Sequence, residues 1–323
     1  VRVPPGAPLG FQMILTVTLN PSVDEAIFVE ALRLHDTNRV LRVEVDAGGK
    51  GINLARVAHA LGSPVMALGF LGGKTGQFVR AVLDAEGVPH DFLWLDKPTR
   101  RNLCIEEISG RPPTMLNEPG PEIGSGHWEA LLAKVETYLP QASWLAMGGS
   151  LPPGAPREAY AMLIERAHQA GVPCAVDSDG PPMLAALSAQ PELIKPNEQE
   201  AERLLGRALR GDTDCFAAAR ELHERGIRYV IISRGARGAD VVSREGAFRA
   251  IPPPVHVRST IGSGDSMVAG ILHILAQGGS LEEALRWGTA AGAATATTSG
   301  AEIARREQVL ELLPLVKIKR IEA

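Results

Sequence analysis

Short, nearly continuous apolar runs recur along this chain, and most of them are followed by a stretch with helical periodicity. The runs lie at 65–69, 144–147, 174–177, 193–195 and 229–233. Strands that are buried on both faces have this character, because helices cover both sides of the sheet that contains them. We therefore predict that these runs form the strands of a mostly parallel sheet.

The periodic stretches between the strands predict helices at 52–61, 126–138, 155–170, 199–205 and 215–225. Most of them are followed by a glycine, the residue that best tolerates the left-handed conformation at the end of a helix. These glycines are Gly62, Gly171, Gly206 and Gly226. Alternating strands and helices predict an α/β fold with a doubly wound sheet flanked by helices.

A different pattern occurs at 41–46 (LRVEVD) and at 103–106 (LCIE), where apolar and polar residues alternate. Alternation with period two predicts a strand with one face in water. These strands differ from the apolar runs, so we expect them to form a separate small sheet.

Composition and charge fit a globular protein, with 323 residues, 45% of them apolar, and a formal net charge of -4. A net negative charge and only 4% aromatic residues argue against a nucleic-acid module and against a general attraction to anionic membranes. We find no internal repeat and no long linker, which favours one domain at 13–323. Residues 1–12 contain three prolines and no apolar core of a signal peptide, so we expect a leader or an expression remnant there.

The chain has only three cysteines, Cys104, Cys174 and Cys215, far apart in sequence. This sparse, odd count offers no zinc or disulfide framework and fits a reducing compartment. No apolar stretch reaches the roughly 18 residues that a membrane helix needs. We therefore expect a cytoplasmic protein.

The strongest chemical signal is the glycine-rich turn at 259–266 (STIGSGDS), which leads into an apolar helical stretch. Free amides and the positive end of the helix dipole form an anion site at such a helix start. A carboxylate beside a bound phosphate suggests a general base, so Asp265 is the candidate to take a proton from an attacking hydroxyl. The alternative is a helix that is merely capped by Ser and Asp.

A second glycine turn, at 47–53 (AGGKGIN), also opens a helix and adds the charge of Lys50. It is not a Walker A loop, because Gly51 stands where Ser or Thr is required. The segment 69–75 (GFLGGKT) is one residue too short for that motif. The turn at 259–266 is not a dinucleotide fingerprint either, because Met267 occupies the third glycine position.

Two further turns follow predicted strands, at 195–200 (KPNEQE) and at 233–238 (SRGARG). Asn197 and Glu200 have the spacing of a capping box, or they could lie near a hydrated Mg²⁺. The turn at 233–238 lies at the carboxyl end of a strand, where open α/β sheets bind ligands, or it is an ordinary tight turn. Each turn alone is open to a structural interpretation, whereas four such turns together favour a ligand site.

The signatures at 47–62 (AGGKGINLARVAHALG) and 259–275 (STIGSGDSMVAGILHIL) resemble those of the ribokinase-like (PfkB) carbohydrate kinases. The resemblance runs from about Met13 to the last predicted helices. Within the family, the segments TVTLNPSVDEAIFVE, TRRN and LNEPGPEI are most similar to bacterial 1-phosphofructokinases and tagatose-6-phosphate kinases. The resemblance implies a ribokinase-like fold with a small β-sheet lid from about 26–46 and 92–117.

The resemblance also implies roles for individual residues. It makes Asp265 the catalytic base, with an anion hole formed by Gly262, Ser263 and Gly264. On the sugar side it implies contacts from Asp24, Gly48, Gly49, Lys50, Asn53, Arg100 and Ser150. On the nucleotide side it implies contacts from Lys195, Ser233, Gly235 and Gly238. Asn197 and Glu200 match the positions associated with Mg²⁺, which the resemblance implies they bind through water.

The roles of two further arginines in these motifs are not assigned by the sequence. Arg101 lies next to Arg100 and competes with it for the phosphate of the substrate. Arg234 stands where relatives often carry a smaller or apolar residue, and we expect its side chain to point into solvent.

The function implied is transfer of the γ-phosphoryl group of ATP, with Mg²⁺, to a primary hydroxyl of a ketohexose phosphate. Fructose 1-phosphate is the first expected acceptor, tagatose 6-phosphate the second and fructose 6-phosphate the third. The lid also makes a homodimer possible. A non-catalytic sugar-phosphate sensor is the alternative from another class, and an NAD-linked oxidoreductase is a weaker one.

Overall fold

The structure, a computed structural model, describes residues 12–321. In chain order its strands are β1 (Met13–Thr18), β2 (Ser22–Val29), β3 (Val40–Gly48), β4 (Val65–Gly72), β5 (Leu93–Leu95), β6 (Arg100–Glu107), β7 (Thr114–Asn117), β8 (Ala142–Gly148), β9 (Cys174–Asp177), β10 (Leu193–Ile194), β11 (Tyr229–Ser233), β12 (Ala239–Ser243), β13 (Gly246–Ile251) and β14 (Lys317–Ile321). Its helices are α1 (Lys50–Leu61), α2 (Gly73–Glu86), α3 (Ser125–Tyr138), α4 (Ala159–Gln169), α5 (Gly180–Ser188), α6 (Glu198–Leu205), α7 (Gly211–Glu224), α8 (Ser263–Leu275), α9 (Leu281–Thr295) and α10 (Arg306–Leu312). The expectation for residues 1–12 concerns a segment that, except for Gln12, lies outside the described residues.

The large sheet has the strand order β14-β13-β12-β11-β10-β9-β8-β1-β4-β5 within the described part of the chain. Neighbouring strands from β11 to β5 are parallel, whereas β12, β13 and β14 are added antiparallel at one edge. The predicted doubly wound, mostly parallel sheet is confirmed. Strand β5 lies within the range expected for the lid, but it pairs with β4 in the large sheet.

Apolar side chains on both faces of the large sheet pack against helices. In β1, Ile14 points to the core that contains residues of α1, α8 and α9, and Leu15 points to the core that contains residues of α3, α4 and α7. Successive side chains of a strand lie on opposite faces, so a continuous apolar run serves both cores. This explains why the central strands show no alternation in sequence.

The small sheet has the order β3-β2-β6-β7. Its two faces differ, since Asp24 and Asn102 are paired across β2 and β6 on one face. On the other face Val43 is 49% exposed and Val45 is 47% exposed. The prediction of a small sheet with one polar face is confirmed, with the difference that its apolar face is open to solvent in the single chain.

None of the helices in residues 12–321 combines the length and the apolar character that crossing a bilayer requires.

Candidate active site

A cavity of about 240 Å³ lies between the small sheet and the carboxyl edge of the large sheet. The ends of β1 and β8 and the starts of α1 and α8 contribute to its wall. This is the edge at which open α/β sheets bind ligands. Among the residues predicted from sequence, those that line the cavity are Asp24, Gly49, Lys50, Asn53, Arg100, Ser150, Gly262 and Asp265.

Asp265 lies in the first turn of α8, and its side chain is buried at the cavity wall. Asn53 donates a hydrogen bond from Nδ2 to Oδ2 of Asp265 over 2.8 Å. Burial raises the pKa of Asp265 to about 6; the charge of Asp177 adds to this effect, whereas Lys50 and Asn53 oppose it. A carboxylate with this pKa is ionised at neutral pH and accepts a proton more readily than an ordinary aspartate does.

Asp177 holds two lysines, of which Lys50 lines the cavity. Its Oδ1 lies 2.7 Å from Nζ of Lys50, and its Oδ2 lies 3.3 Å from Nζ of Lys195. Burial alone would raise the pKa of Asp177, but the charges of Lys195 and Lys50 outweigh burial and lower it. Burial likewise works against charged Lys50, and the carboxylates of Asp177, Asp265 and Glu200 together raise its pKa. Lys50 therefore stays positively charged.

Sequence reasoning treated Asp177 only as the last residue of a predicted strand. A signal was present, since a carboxylate that ends an apolar strand lies at the ligand-binding edge of the sheet. The positive partners of Asp177 could not be identified, because Lys50 is 127 residues away in the chain.

The sugar-side end of the cavity is built around Asp24. Its Oδ1 accepts hydrogen bonds from Oγ of Ser22 at 2.7 Å and from Nδ2 of Asn102 at 2.9 Å. Burial raises the pKa of Asp24, although these two hydrogen bonds oppose the shift. Gly48 is required beside it, since a Cβ there would lie 2.1 Å from Oδ2 of Asp24. Sequence reasoning predicted Asp24 and Gly48 but missed Ser22 and Asn102.

Arg100 and Arg101 point to opposite faces of β6, as successive strand residues do. Arg100 lines the cavity, and its Nη1 donates to the carbonyl oxygen of Glu118 at 2.9 Å. Its Nε is buried and has no hydrogen-bond partner within residues 12–321. Arg101 lies 3.4 Å from Oε1 of Glu25, with 55% of its side chain exposed. Only Arg100 therefore faces the space that a substrate would occupy.

Asn20, at the end of β1, was missed as a site residue. Its Nδ2 donates to the carbonyl oxygen of Pro119 at 3.0 Å and to Oγ of Ser150 at 3.2 Å. Its Oδ1 is buried and has no hydrogen-bond partner in the described part of the chain. The predicted residue Ser150 thus reaches the cavity together with the side-chain amide of Asn20.

The predicted anion hole is the start of α8. Gly262 precedes the helix with a φ of 74°, a conformation that favours glycine. The amides of Ser263 and Gly264 belong to the first turn, which has no intrahelical acceptors for its N–H groups. Nζ of Lys195 would lie 3.0 Å from a Cβ on Gly264, so a lysine charge adjoins this helix start. The arrangement suits an anion.

Asn197 and Glu200 form the capping box that was one of their two interpretations. The backbone N–H of Glu200 donates to Oδ1 of Asn197 at 2.9 Å, and the backbone N–H of Asn197 donates to Oε2 of Glu200 at 2.7 Å. The other oxygen of Glu200, Oε1, lies 4.0 Å from Nζ of Lys50. The carboxylate of Glu200 supplies a hard oxygen donor that fits a hydrated Mg²⁺.

The predicted nucleotide-side residues lie next to one another, because the turn at 233–238 contacts the segment that carries Lys195. The backbone N–H of Ser233 donates to the carbonyl oxygen of Pro196 at 3.0 Å, which joins the turn at 233–238 to Lys195. Gly235 has a φ of 56°, and a Cβ on Gly238 would lie 1.9 Å from the carbonyl oxygen of Ala250. The turn is therefore restricted to glycine at both positions.

The expectation that Arg234 points into solvent is wrong. Only 1% of its side chain is exposed, and it pairs with Asp240 at 2.8 Å, with Asp212 at 2.6 Å and with Glu198 at 3.2 Å. Asp240 is fully buried and needs a positive partner. These carboxylates raise the pKa of Arg234 against the effect of burial. Arg234 thus fixes the nucleotide-side turn to the start of α6.

Comparison with known proteins places these features in context. Residues 17–308 match the model of the pfkB family of carbohydrate kinases. A 1-phosphofructokinase from Borreliella burgdorferi is 38% identical over 285 residues, which are 88% of this chain and 92% of that protein.

Two solved structures are similar over nearly their whole length. Phosphofructokinase-2 from Escherichia coli, in complex with substrates and products, has a TM-score of 0.88 and 33% identity, covering 94% of this chain and 99% of that one. A possible 1-phosphofructokinase from Thermotoga maritima has a TM-score of 0.86 and 25% identity, covering 96% of this chain and all (100%) of that one.

Proposed function

The chain belongs to the pfkB family of carbohydrate kinases, and we propose that its acceptor is fructose 1-phosphate. It is a sugar kinase that uses ATP as phosphoryl donor and a hydroxyl group as acceptor. The product of the proposed reaction is fructose 1,6-bisphosphate. Such substrates favour a cytoplasmic location. The observation that carries the proposal is one cavity that contains a buried carboxylate, a helix start and Arg100.

In the proposed mechanism, Asp265 accepts the proton of the acceptor hydroxyl, and the oxygen of that hydroxyl forms a bond to the γ-phosphorus of ATP. The bond between that phosphorus and the β,γ-bridging oxygen breaks, and ADP leaves. Asn53 orients the carboxylate through its 2.8 Å hydrogen bond. The raised pKa of Asp265 makes the proton transfer more favourable than it would be for an ordinary aspartate.

The charge that develops on the transferring group would be stabilised by the amides of Gly262, Ser263 and Gly264 at the start of α8. Lys50 and Lys195 add positive charge beside that helix start, and Asp177 holds both of them. Fixed donors of this kind need no reorganisation during the reaction. Ser233, Gly235 and Gly238 would contact the nucleotide.

We assign Mg²⁺, held through water, to the carboxylate of Glu200, with Asn197 fixing Glu200 through the capping box. A bound Mg²⁺ neutralises phosphate charge. Oε1 of Glu200 points toward Lys50, which lines the cavity.

Different residues would bind the hydroxyls and the phosphate of the acceptor. Asp24, fixed by Ser22 and Asn102, is placed to accept hydrogen bonds from sugar hydroxyls, with Gly48 and Gly49 allowing the approach. Arg100 and Ser150 would bind the phosphate that is already present, and the unpartnered Nε of Arg100 supports this role. An acceptor without a phosphate would leave that donor unsatisfied.

The test is ADP release with Mg-ATP across fructose 1-phosphate, tagatose 6-phosphate, fructose 6-phosphate and fructose. We expect kcat/KM to be highest for fructose 1-phosphate, by at least about tenfold, and lowest for fructose. A preference for tagatose 6-phosphate would change the acceptor but not the class of reaction. Fructose 6-phosphate is a further candidate, since phosphofructokinase-2 from Escherichia coli has been solved in complex with it. No ADP release with any sugar would favour the non-catalytic sensor.

We also propose a homodimer through the small sheet. Its outer face carries exposed apolar side chains on both edge strands, with Val43 and Val45 on β3 and Leu116, 51% exposed, on β7. Exposed apolar patches of this kind mark interaction sites. The mass in solution should be twice that of the chain, and a V43D/V45D variant should be monomeric; a monomeric wild-type protein would contradict the proposal.

A further inference from the structure

A hydrogen bond joins the small sheet to the segment that follows α9. Oγ of Ser299 lies 2.7 Å from Oε2 and 2.9 Å from Oε1 of Glu44, and the two residues are 255 positions apart. Glu44 is on β3, two residues before Asp46, which pairs with Asp24. Ser299 follows α9. We call the Glu44–Ser299 hydrogen bond the lid contact.

The surroundings of Glu44 are arranged for this contact. A Cβ on Gly300 would lie 2.8 Å from Oε2 of Glu44, so glycine lets the carboxylate approach the backbone. Arg42 pairs with Glu44, and its guanidinium lies 3.5 Å from the centre of the Phe28 ring. These neighbours orient Glu44 toward Ser299.

The segment that carries Ser299 is fixed to the helix of the proposed base. Oγ1 of Thr295, at the end of α9, lies 2.8 Å from Oγ of Ser266, and both groups are buried. Oγ1 of Thr295 also accepts a hydrogen bond from the backbone N–H of Ala304 at 3.1 Å. Ser266 is the residue after Asp265, so the position of Ser299 is tied to that of the base.

The lid contact therefore connects the part of the cavity that contains Asp24 to the part that contains Asp265. We propose that Glu44 and Ser299 are positioning residues that hold the small sheet over the cavity during phosphoryl transfer. This inference rests on the proposed function for its kinetic consequence. While the contact holds, water is excluded from the γ-phosphoryl group; when it is lost, water competes with the sugar as acceptor.

The first test is structural and does not depend on any activity. In the enzyme without substrates, S299A should speed hydrogen exchange of the β3 amides at 40–48 by about tenfold, because a hydrogen bond to a charged group is lost. Exchange in β9 (Cys174–Asp177) should not change. S299A leaves Glu44 and Arg42 intact, so it isolates the lid contact from their ion pair. Unchanged exchange at 40–48 would overturn the proposal.

The second test measures ADP and phosphorylated sugar separately. Wild-type enzyme should produce them in equal amounts, whereas S299A and E44Q should release an excess of ADP and raise KM for the sugar by about fivefold to tenfold. KM for ATP should stay within about twofold, which a general loss of structure would not permit. E30Q, a charge removal at an exposed position directly after β2, is the matched control.

Two further variants separate a specific contact from general damage. S299T keeps a hydroxyl and should restore most of the coupling, and the double variant E44Q/S299A should be little worse than E44Q alone, because both changes remove one interaction. Additive effects, or an ADP-to-sugar ratio that stays at one in S299A, would overturn the proposal. If the wild-type enzyme phosphorylates none of the sugars, the proposed function fails, and the exchange measurement still decides the lid contact.

Discussion

Asn53 and Asp265 lie in the first turns of two different helices, and a 2.8 Å hydrogen bond joins their side chains. The bond engages one of the two oxygens of the Asp265 carboxylate. It therefore orients the carboxylate without consuming all of its capacity to accept a proton. The charge, burial and orientation of Asp265 support its assignment as the general base.

Replacing Asp265 by Asn should lower kcat by about 10²–10⁴-fold, because a positioned general base contributes a factor of this size. Binding of ATP should change little, since Asp265 is assigned to the acceptor. Steady-state kinetics and an ATP titration check both expectations. D96N, at an exposed position, is the control. A D265N enzyme with near-normal kcat would remove Asp265 from the mechanism.

The pH dependence of kcat/KM should follow the ionisation of Asp265. Its pKa is about 6, and only the ionised carboxylate accepts a proton, so kcat/KM should fall as the pH drops through 6 and level off above about 7. K50M removes a positive charge that lowers this pKa, so the acid limb should move to higher pH. D177N removes a negative charge that raises it, so the limb should move to lower pH. Shifts in the same direction would contradict this electrostatic account.

Arg100 and Arg101 should differ in their effect on substrate binding. R100M should raise KM for the sugar phosphate by roughly a hundredfold, about 2.7 kcal/mol, because a charge-assisted contact to phosphate is lost. R101M should change KM by less than about threefold, since exposed ion pairs contribute little. Equal effects of both variants would argue against Arg100 as the phosphate ligand.

Gly48 should tolerate no side chain. In G48A the new Cβ would lie 2.1 Å from Oδ2 of Asp24, so Asp24 must move out of place. We expect a higher KM for the sugar and an unchanged KM for ATP. G126A, where a Cβ meets no atom within 4 Å, is the matched control. Normal sugar kinetics in G48A would show that Asp24 does not bind the acceptor.

The buried charges around Arg234 should matter for stability. R234M removes one of the two arginines that pair with buried Asp240, and breaking a buried pair from one side costs about 3–5 kcal/mol. Urea unfolding at neutral pH measures this loss. The double variant R234M/D240L should recover part of it, because the uncompensated charge is removed. A loss below about 1 kcal/mol in R234M would mean that Arg249 alone compensates Asp240.

The sheet could be predicted from sequence because its central strands are apolar on both faces and are therefore visible as short continuous apolar runs. Strands β9 and β11 have the predicted bounds. The edge strands were not predicted, since β14 (KIKRI) is rich in lysine and arginine and becomes a strand only by pairing with β13. Edge pairing is a tertiary contact that local sequence does not encode.

The site divides in the same way. Glycine turns are visible in sequence, so the residues next to them, such as Lys50 and Asp265, could be proposed together with the family resemblance. Side chains whose role depends on partners distant in the sequence could not be proposed in this way. Asn102 reaches Asp24 across 78 residues, and the three carboxylates around Arg234 come from separate elements. Which charged or polar groups surround a side chain depends on the fold.

The cavity takes residues from both ends of the chain, and this has a consequence during synthesis on the ribosome. A nascent chain that has emerged through β10 contains Asp24, Lys50 and Arg100, and therefore the acceptor side of the cavity. It does not yet contain Asp265. In the proposed mechanism, phosphoryl transfer can therefore begin only after α8, which carries Asp265, has emerged and packed against α1.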